Sequence, residues 1–296
     1  MAWILGRKGI HNMIHKPQIK APVITIIGSA GVGKTSLAAL FPDPVFIQAE
    51  NSETVFETWD EDIQPQMFEQ LKHSNKKLKI STKNELLHQL RYVASNKDGF
   101  KTLIIDAVTT LSLMFEHEIL EFDENDAKNM GDACGGYNKG FMELASMHAE
   151  IRLACEHIRK AGIAVVFLAH SGIQKMKNRP DSPEYIAYTI ELPEKSRPFY
   201  IDHSDAVLYL KSTEYVTGSE TDKKGRLTKY GKITNTGERV LITSSDGAVG
   251  FIGAKNRYNM PTEIEVKLGE NPILQYIKFF NEPKQTTQSE TQQPQE

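Results

Sequence analysis

Cysteine is nearly missing. Cys134 and Cys155 are the only two in 296 residues, and their spacing fits no metal-binding pattern. So few thiols exclude a disulfide scaffold and suit the reducing cytoplasm. No apolar run approaches the ~20 residues of a membrane-spanning helix. At the start of the chain Arg7 and Lys8 follow a very short apolar piece, the reverse of an export leader. The expectation is a cytoplasmic protein with no membrane partner. There is no HExxH among nine scattered histidines, so a zinc centre is not expected. An excess of positive charge is lacking too: 35 Lys and Arg stand against 38 Asp and Glu, a net charge of −3. Any contact with nucleic acid must therefore come from local patches.

What is present is dominated by one stretch. An apolar run, Val23-Ile24-Thr25-Ile26-Ile27, leads into Gly28-Ser29-Ala30-Gly31-Val32-Gly33-Lys34-Thr35, and Ser36-Leu37-Ala38-Ala39-Leu40 continues with helical character. This is GxxxxGKT between a strand and a helix, the context that gives the motif its meaning. Glycines let the backbone wrap closely and turn its N–H groups onto a phosphate chain. Lys34 supplies a charge for the outer phosphates, and the Thr35 hydroxyl supplies a ligand for Mg. Residues Gly28 to Ser36 are thus the expected ATP-binding loop, with Thr35 and Asp106 as the expected Mg ligands.

The rest of the chain alternates apolar runs with helical patterns. Pro42 and Pro44 end the first helix and lead to Val45-Phe46-Ile47, which closes at Glu50. Residues 53–77 read as partly helical, Leu78-Lys79-Ile80 as a short strand, and Lys83 to Ser95 as a helix capped by Ser81 or Thr82. Thr102-Leu103-Ile104-Ile105-Asp106 reads as a buried strand. Helices are expected over about 108–120 and 141–160, and a strand over Ala164 to His170. Residues 122–140 and 171–199 read as long polar loops, Asp205 to Leu210 as a strand that resumes the sheet, the stretches around 213–217, 228–234 and 238–243 as a meander, and Pro272 to Asn281 as a short helix. Such alternation implies an α/β fold with a mainly parallel central sheet and a C-terminal β-meander. The domain reading is an N-terminal arm over 1–20, an ATPase domain over 21–281 and a polar, disordered tail over 282–296.

Ligands of such sheets bind beyond the carboxyl ends of the strands. Glu50, Asp106 and His170 each close an apolar run, so all three should gather beside the glycine loop. Asp106 reads as the Walker B acid; a helix cap after a strand is the competing explanation. Ala107 follows it where many ATPases carry a catalytic Glu, which leaves Glu50 as the candidate to activate water. His170 could contact the γ-phosphate and report it to the segment that follows. That segment carries Lys175, Lys177 and Arg179 with Tyr185 and Tyr188, the residue types that pair phosphates and stack bases. A solvated loop is the plainer alternative.

These residues resemble the RecA-like ATPases. The stretch Val45 to Glu50 looks like the RecA segment whose Glu activates water. Over about 22–262 the ordered set also resembles the phage nucleotide-binding family that includes Sak-type single-strand annealing proteins. It comprises the glycine loop, Phe41-Pro42, Glu50, Asp106, Gly136-Tyr137-Asn138-Lys139-Gly140, Ala169-His170, Ser204 to Val207, and Ala254 to Pro261. The resemblance implies a RecA-like P-loop core using ATP and Mg, with single-stranded DNA as partner and a recombination or replication role. It further implies a homo-oligomer, ring or filament, and a single-strand binding protein as a candidate partner. Lys255-Asn256-Arg257 resembles the trans-acting finger of DnaB-type rings, with Lys255 and Arg257 reaching a neighbour's γ-phosphate; a surface turn is the alternative. A nucleotide-gated assembly protein or helicase loader with little DNA binding is the second functional reading.

Overall fold

The computed structural model describes residues 17–176, 184–218, 220–221, 227–229, 231–244 and 253–281. Most of the expected arm, all of the expected tail, and the candidate DNA residues Lys177 and Arg179 lie outside the described residues. Pro17 to Lys20 are exposed and carry no regular structure.

Four near-continuous apolar runs become the centre of a parallel sheet. They are β1 (Val23–Gly28), β2 (Pro44–Gln48), β4 (Thr102–Asp106) and the first half of β5 (Ala164–Met176). A two-residue β3 (Gln66–Met67) extends the β2 edge. Beyond β5, β6 (Tyr185–Ile190) pairs back on it, and β7 (Ala206–Thr217) returns to lie beside β1. β8 (Glu220–Thr221) and β9 (Leu227–Lys229) form a small separate ladder. β10 (Lys232–Ile242), β11 (Lys255–Asn256) and β12 (Glu263–Val266) complete the main sheet. The strand order is β12-β10-β7-β1-β5-β4-β2-β3, with β11 and β6 joined to β7 and β5. Every pairing from β7 to β3 is parallel, whereas β10 and β12 are antiparallel additions: the expected C-terminal meander.

Alternate side chains leave the sheet on opposite faces. Val23, Ile27, Leu103, Ile105, Val165 and Phe167 meet three helices: α2 (Thr82–Ser95), α3 (Val108–Phe122) and α4 (Lys139–Lys160). Ile24, Ile26, Phe46, Ile104, Val166 and Leu208 meet α1 (Lys34–Ala39). Phe56, Met260, Ile264 and Ile273 close that second face. Two one-turn helices, α5 (Pro198–Ile201) and α6 (Lys278–Asn281), complete the described helices.

Two expectations are corrected and one is refined. Residues 53–77 are helical in part, as 3-10 turns at Glu53–Val55 and Glu61–Ile63, and Phe56 between them packs edge-on against Phe46 and Trp59. Leu78 to Ile80 is a turn rather than a strand, closed by a single bridge between Asn75 and Ile80. The segment after His170 is a hairpin, not a loop. β5 runs on past the sheet to Met176 and pairs with β6 from Ser171↔Ile190 to Met176↔Tyr185. Its backbone bonds are satisfied by β6, so the extension needs no buried side, and Ile173 and Ile186 stand 71% and 66% exposed.

Candidate nucleotide site

The glycine loop sits where β1 ends, between β5 and β7. Gly28 is required by close approach: a Cβ there would lie 2.5 Å from the Leu210 carbonyl oxygen of β7. Gly33 has φ +95°, a left-handed conformation that costs other residues strain, and it starts α1. Lys34 is buried, and its Nζ donates to the carbonyls of Gly28 (3.0 Å) and Ser29 (2.9 Å), which holds the loop closed on itself. Burial lowers the Lys34 pKa, against the opposing pull of Asp106 and Glu50.

Asp106 closes β4 and is 2% exposed. Its Oδ2 accepts from Thr35 Oγ1 at 2.7 Å and from Ser52 Oγ at 2.9 Å. Burial pushes its pKa up; the two hydroxyl donors oppose this, Glu50 adds to it and Lys34 opposes it. A buried carboxylate short of positive charge, with a hydroxyl oxygen alongside, fits Mg, which takes one or two protein oxygens and fills its remaining positions with phosphate and water. Thr35 and Asp106 are thus together as the sequence predicts. Ser52, not foreseen, shares the same oxygen.

The end of β2 is clamped to β4, because Ala49 N–H and Glu50 N–H both donate to the Asp106 carbonyl at 2.7 and 3.2 Å. Glu50 thereby stands beside Asp106, two residues past the last residue of β2. Its Oε1 receives Thr110 Oγ1 and lies 2.7 Å from His170 Nε2. The contact with His170 lowers the Glu50 pKa most; burial opposes it, and Thr110 and Lys34 reinforce it. Glu50 is therefore a carboxylate at neutral pH. His170 is held in turn, since its N–H donates to Thr109 Oγ1 at 3.2 Å. The first turn of α3 thus fixes both residues, a role that no sequence motif announced for Thr109 and Thr110.

The remaining candidates lie elsewhere. Lys175 sits on the hairpin in an exposed ion pair with Glu184 at 3.3 Å. Tyr188 stacks on Tyr209 with ring centroids 5.3 Å apart. Lys255 and Arg257 are at the opposite edge of the sheet, where β11 meets the beginning of β7. There Arg257 pairs with Asp205 Oδ1 at 2.9 Å and Lys255 Nζ donates to the Asp202 carbonyl at 2.6 Å. Asp205 also accepts from Val23 N–H and pairs with Arg159, so it ties the starts of β1, β7 and α4's last turn together.

A glycine loop closing a central strand, with the strand that ends in Asp106 one place removed across β5, defines an α/β P-loop nucleotide-binding fold. The chain belongs to the AAA-domain family, whose model matches residues 20–258. No curated protein matches it. Solved structures similar to it include a KaiC-like protein from the hyperthermophilic archaeon Pyrococcus horikoshii OT3, at 14% identity over 75% of this chain and 78% of that chain, TM-score 0.37. Another is the flagellar accessory protein FlaH from Methanocaldococcus jannaschii, at 9% identity over 88% and 91%, TM-score 0.37.

Proposed function

We propose that this nucleotide-binding ATPase domain hydrolyses Mg-ATP and drives the β5–β6 hairpin against single-stranded DNA, in the manner of phage-type annealing proteins. One observation carries the hydrolytic part: Glu50 is a carboxylate braced by His170 Nε2 and Thr110 next to Asp106. Thr35 and Asp106 would hold Mg, which neutralises developing charge on the phosphates. Lys34 leaves the Gly28 and Ser29 carbonyls to meet the β/γ-phosphates. Glu50 orients the attacking water; its lowered pKa makes it a weak base, better suited to orienting than to full proton removal. His170 and Thr110 keep that carboxylate in place.

The DNA part is supported by continuity. His170 and the hairpin lie on one strand, and a cleft of about 710 Å³ runs between the phosphate loop and the hairpin, lined by Ser29, Gly31, Ile173, Tyr188 and Tyr209. A change at the phosphates can therefore shift the hairpin directly. The second reading, a nucleotide-gated assembly switch, is favoured by the exposed Ile173 and Ile186 and by the neutralised Lys175. A finger role for Lys255 and Arg257 belongs with a head-to-tail oligomer, since cations at the edge opposite their own phosphate loop can serve only a neighbour's.

The test is Mg-ATP binding and phosphate release by the wild-type chain and by Lys34→Ala, with and without a single-stranded oligonucleotide at several salt concentrations. Tight Mg-ATP binding lost in Lys34→Ala and stimulation by the oligonucleotide are expected. Turnover without any oligonucleotide binding selects the assembly switch, and no turnover overturns the hydrolase.

A further inference from the structure

Arg239 lies on β10, more than two hundred residues from the glycine loop in sequence, yet its guanidinium rests on that loop. A Cβ built on Gly33 would collide with Arg239 Nη1, and Arg239 Cζ lies 3.5 Å from the same point. The backbone leading to it is specialised. Between Asn235 (opposite Glu214) and Arg239 (opposite Ser212) β10 advances four residues while β7 moves two, so a bulge precedes Arg239. Gly237, at φ +81°, lies inside it. Bulges strengthen the local twist and recur beside active sites, where they aim side chains. Leu241, two residues on, packs in the α1-side core, so Arg239 leaves the strand on the face that carries α1.

Among the described residues this guanidinium has no hydrogen-bond or ion-pair partner, although it is only partly exposed. Glu238 does not serve, for it accepts from Thr236 Oγ1 at 3.4 Å. Arginines held at fixed positions normally find a carboxylate or phosphate, which match the planar fork. Here the surface beneath the fork is a phosphate-binding loop.

We propose that Arg239 is a second phosphate ligand, acting in cis, that reaches the α/β-phosphate end of a nucleotide from the β10 side of the loop. This rests on the nucleotide-binding reading above. The assignment to α/β rather than γ follows from placement. Asp106 closes β4, Glu50 follows β2 and His170 lies in β5 where that strand leaves the sheet, all on one flank of β1, and the water-activating group stands there. Arg239 approaches from the other flank, across β7. Its role is therefore affinity for the phosphates that ATP and ADP share, and it links nucleotide occupancy to the antiparallel meander.

The experiment measures dissociation constants of Mg-ATP and Mg-ADP for the full chain and for Arg239→Gln and Arg239→Lys, with nucleotide-free melting temperatures alongside. A charge-assisted hydrogen bond lost from a phosphate weakens binding on the order of 10- to 100-fold. Arg239→Gln should weaken ATP and ADP to a similar degree, and Arg239→Lys should recover part of the loss. The nucleotide-free melting temperature should hold, because no described partner is abandoned. If Arg239→Gln melts several degrees early, Arg239→Lys carries the binding test. Affinities within twofold of wild type for both nucleotides overturn the proposal, and a loss confined to ATP overturns the α/β assignment. If wild type binds neither nucleotide while folded, the nucleotide-binding reading fails and Arg239 falls with it.

Discussion

Removing His170 in two backgrounds separates the two things it could do. In wild type its Nε2 stands 2.7 Å from Glu50, with the two side chains 25% and 33% exposed. A hydrogen bond to a charged group is worth about 1.5–3 kcal/mol, and partial exposure places this one at the low end. Losing it in His170→Ala should leave Glu50 less well aimed and cost about tenfold in turnover. Glu50→Gln keeps the shape but loses the carboxylate's charge and one acceptor oxygen, and loss of the group that activates water costs roughly 10²–10⁴-fold. If His170 acts only through Glu50, adding His170→Ala to Glu50→Gln should cost at most two- to threefold more, so about three- to fivefold of the tenfold appears as coupling. The assay is single-turnover phosphate release at saturating Mg-ATP, with ATP affinity measured separately for all four proteins. A full tenfold loss from His170→Ala in both backgrounds would refute the positioning argument and return His170 to direct contact with the γ-phosphate.

Two further outcomes follow from burial. Asp106→Asn relieves a buried charge while its amide oxygen can still accept from Thr35 and Ser52. The nucleotide-free melting temperature should hold or rise, whereas the added stabilisation by Mg-ATP should vanish; thermal melts with and without Mg-ATP check both. His148 is wholly buried between Tyr200 OH (2.7 Å) and Ser112 Oγ (3.1 Å), and burial lowers its pKa to about 3. Above the ordinary value of 6.5 the ring is neutral in both states. Between 6.5 and about 3 the unfolded chain takes up a proton that the folded one refuses, so stability falls as pH falls, by about tenfold in the folding constant per pH unit. Denaturant titrations over that range should show a shallower pH slope in His148→Gln than in wild type; equal slopes would contradict the neutral, buried imidazole.

The parts of the site that could be read from sequence are those whose chemistry is local. The glycine loop carries its own spacing, and Asp106 and Glu50 announce themselves by closing apolar runs. Thr110 and Ser52 could not be read, since a hydroxyl in a helix's first turn or a loop fits many roles until its partner is placed. Arg239 is further still beyond reach, because only the β7–β10 pairing and its bulge bring it to Gly33. The hairpin was missed for a related reason. In the β5 extension Ile173 is exposed, and the β6 residues that turn inward before Ile190 are Ala187 and Thr189, small or polar side chains that leave no apolar period. Residues 53–77 were legible only as partly helical: that the helix is 3-10 and that Phe56 enters the core against Phe46 and Trp59 depends on partners distant in sequence.

The two edges of the sheet are built on different physical terms, and this bears on how the domain could work. At the loop edge the functional side chains are occupied by contacts that a ligand must replace. Lys34 is on the Gly28 and Ser29 carbonyls, and Thr35 and Ser52 are on Asp106. Binding there exchanges hydrogen bonds rather than simply adding them, so each net gain is smaller than the roughly 1.5–3 kcal/mol of a bond to a charged group. Exchange obliges the attached segments to move: Ser52 belongs to the turn after β2, and Glu50 is tied through His170 to the strand that becomes the hairpin. The opposite edge offers no such exchange. Asp205 is held by Val23 N–H, Arg159 and Arg257, which fixes the starts of β1 and β7 to the end of α4. A structure clamped at one edge and held by replaceable contacts at the other directs displacement toward the loop edge, hence toward the turn after β2, the first turn of α3 and the hairpin. Arg239, also at that edge and without a described partner, would bring the antiparallel meander into the same response.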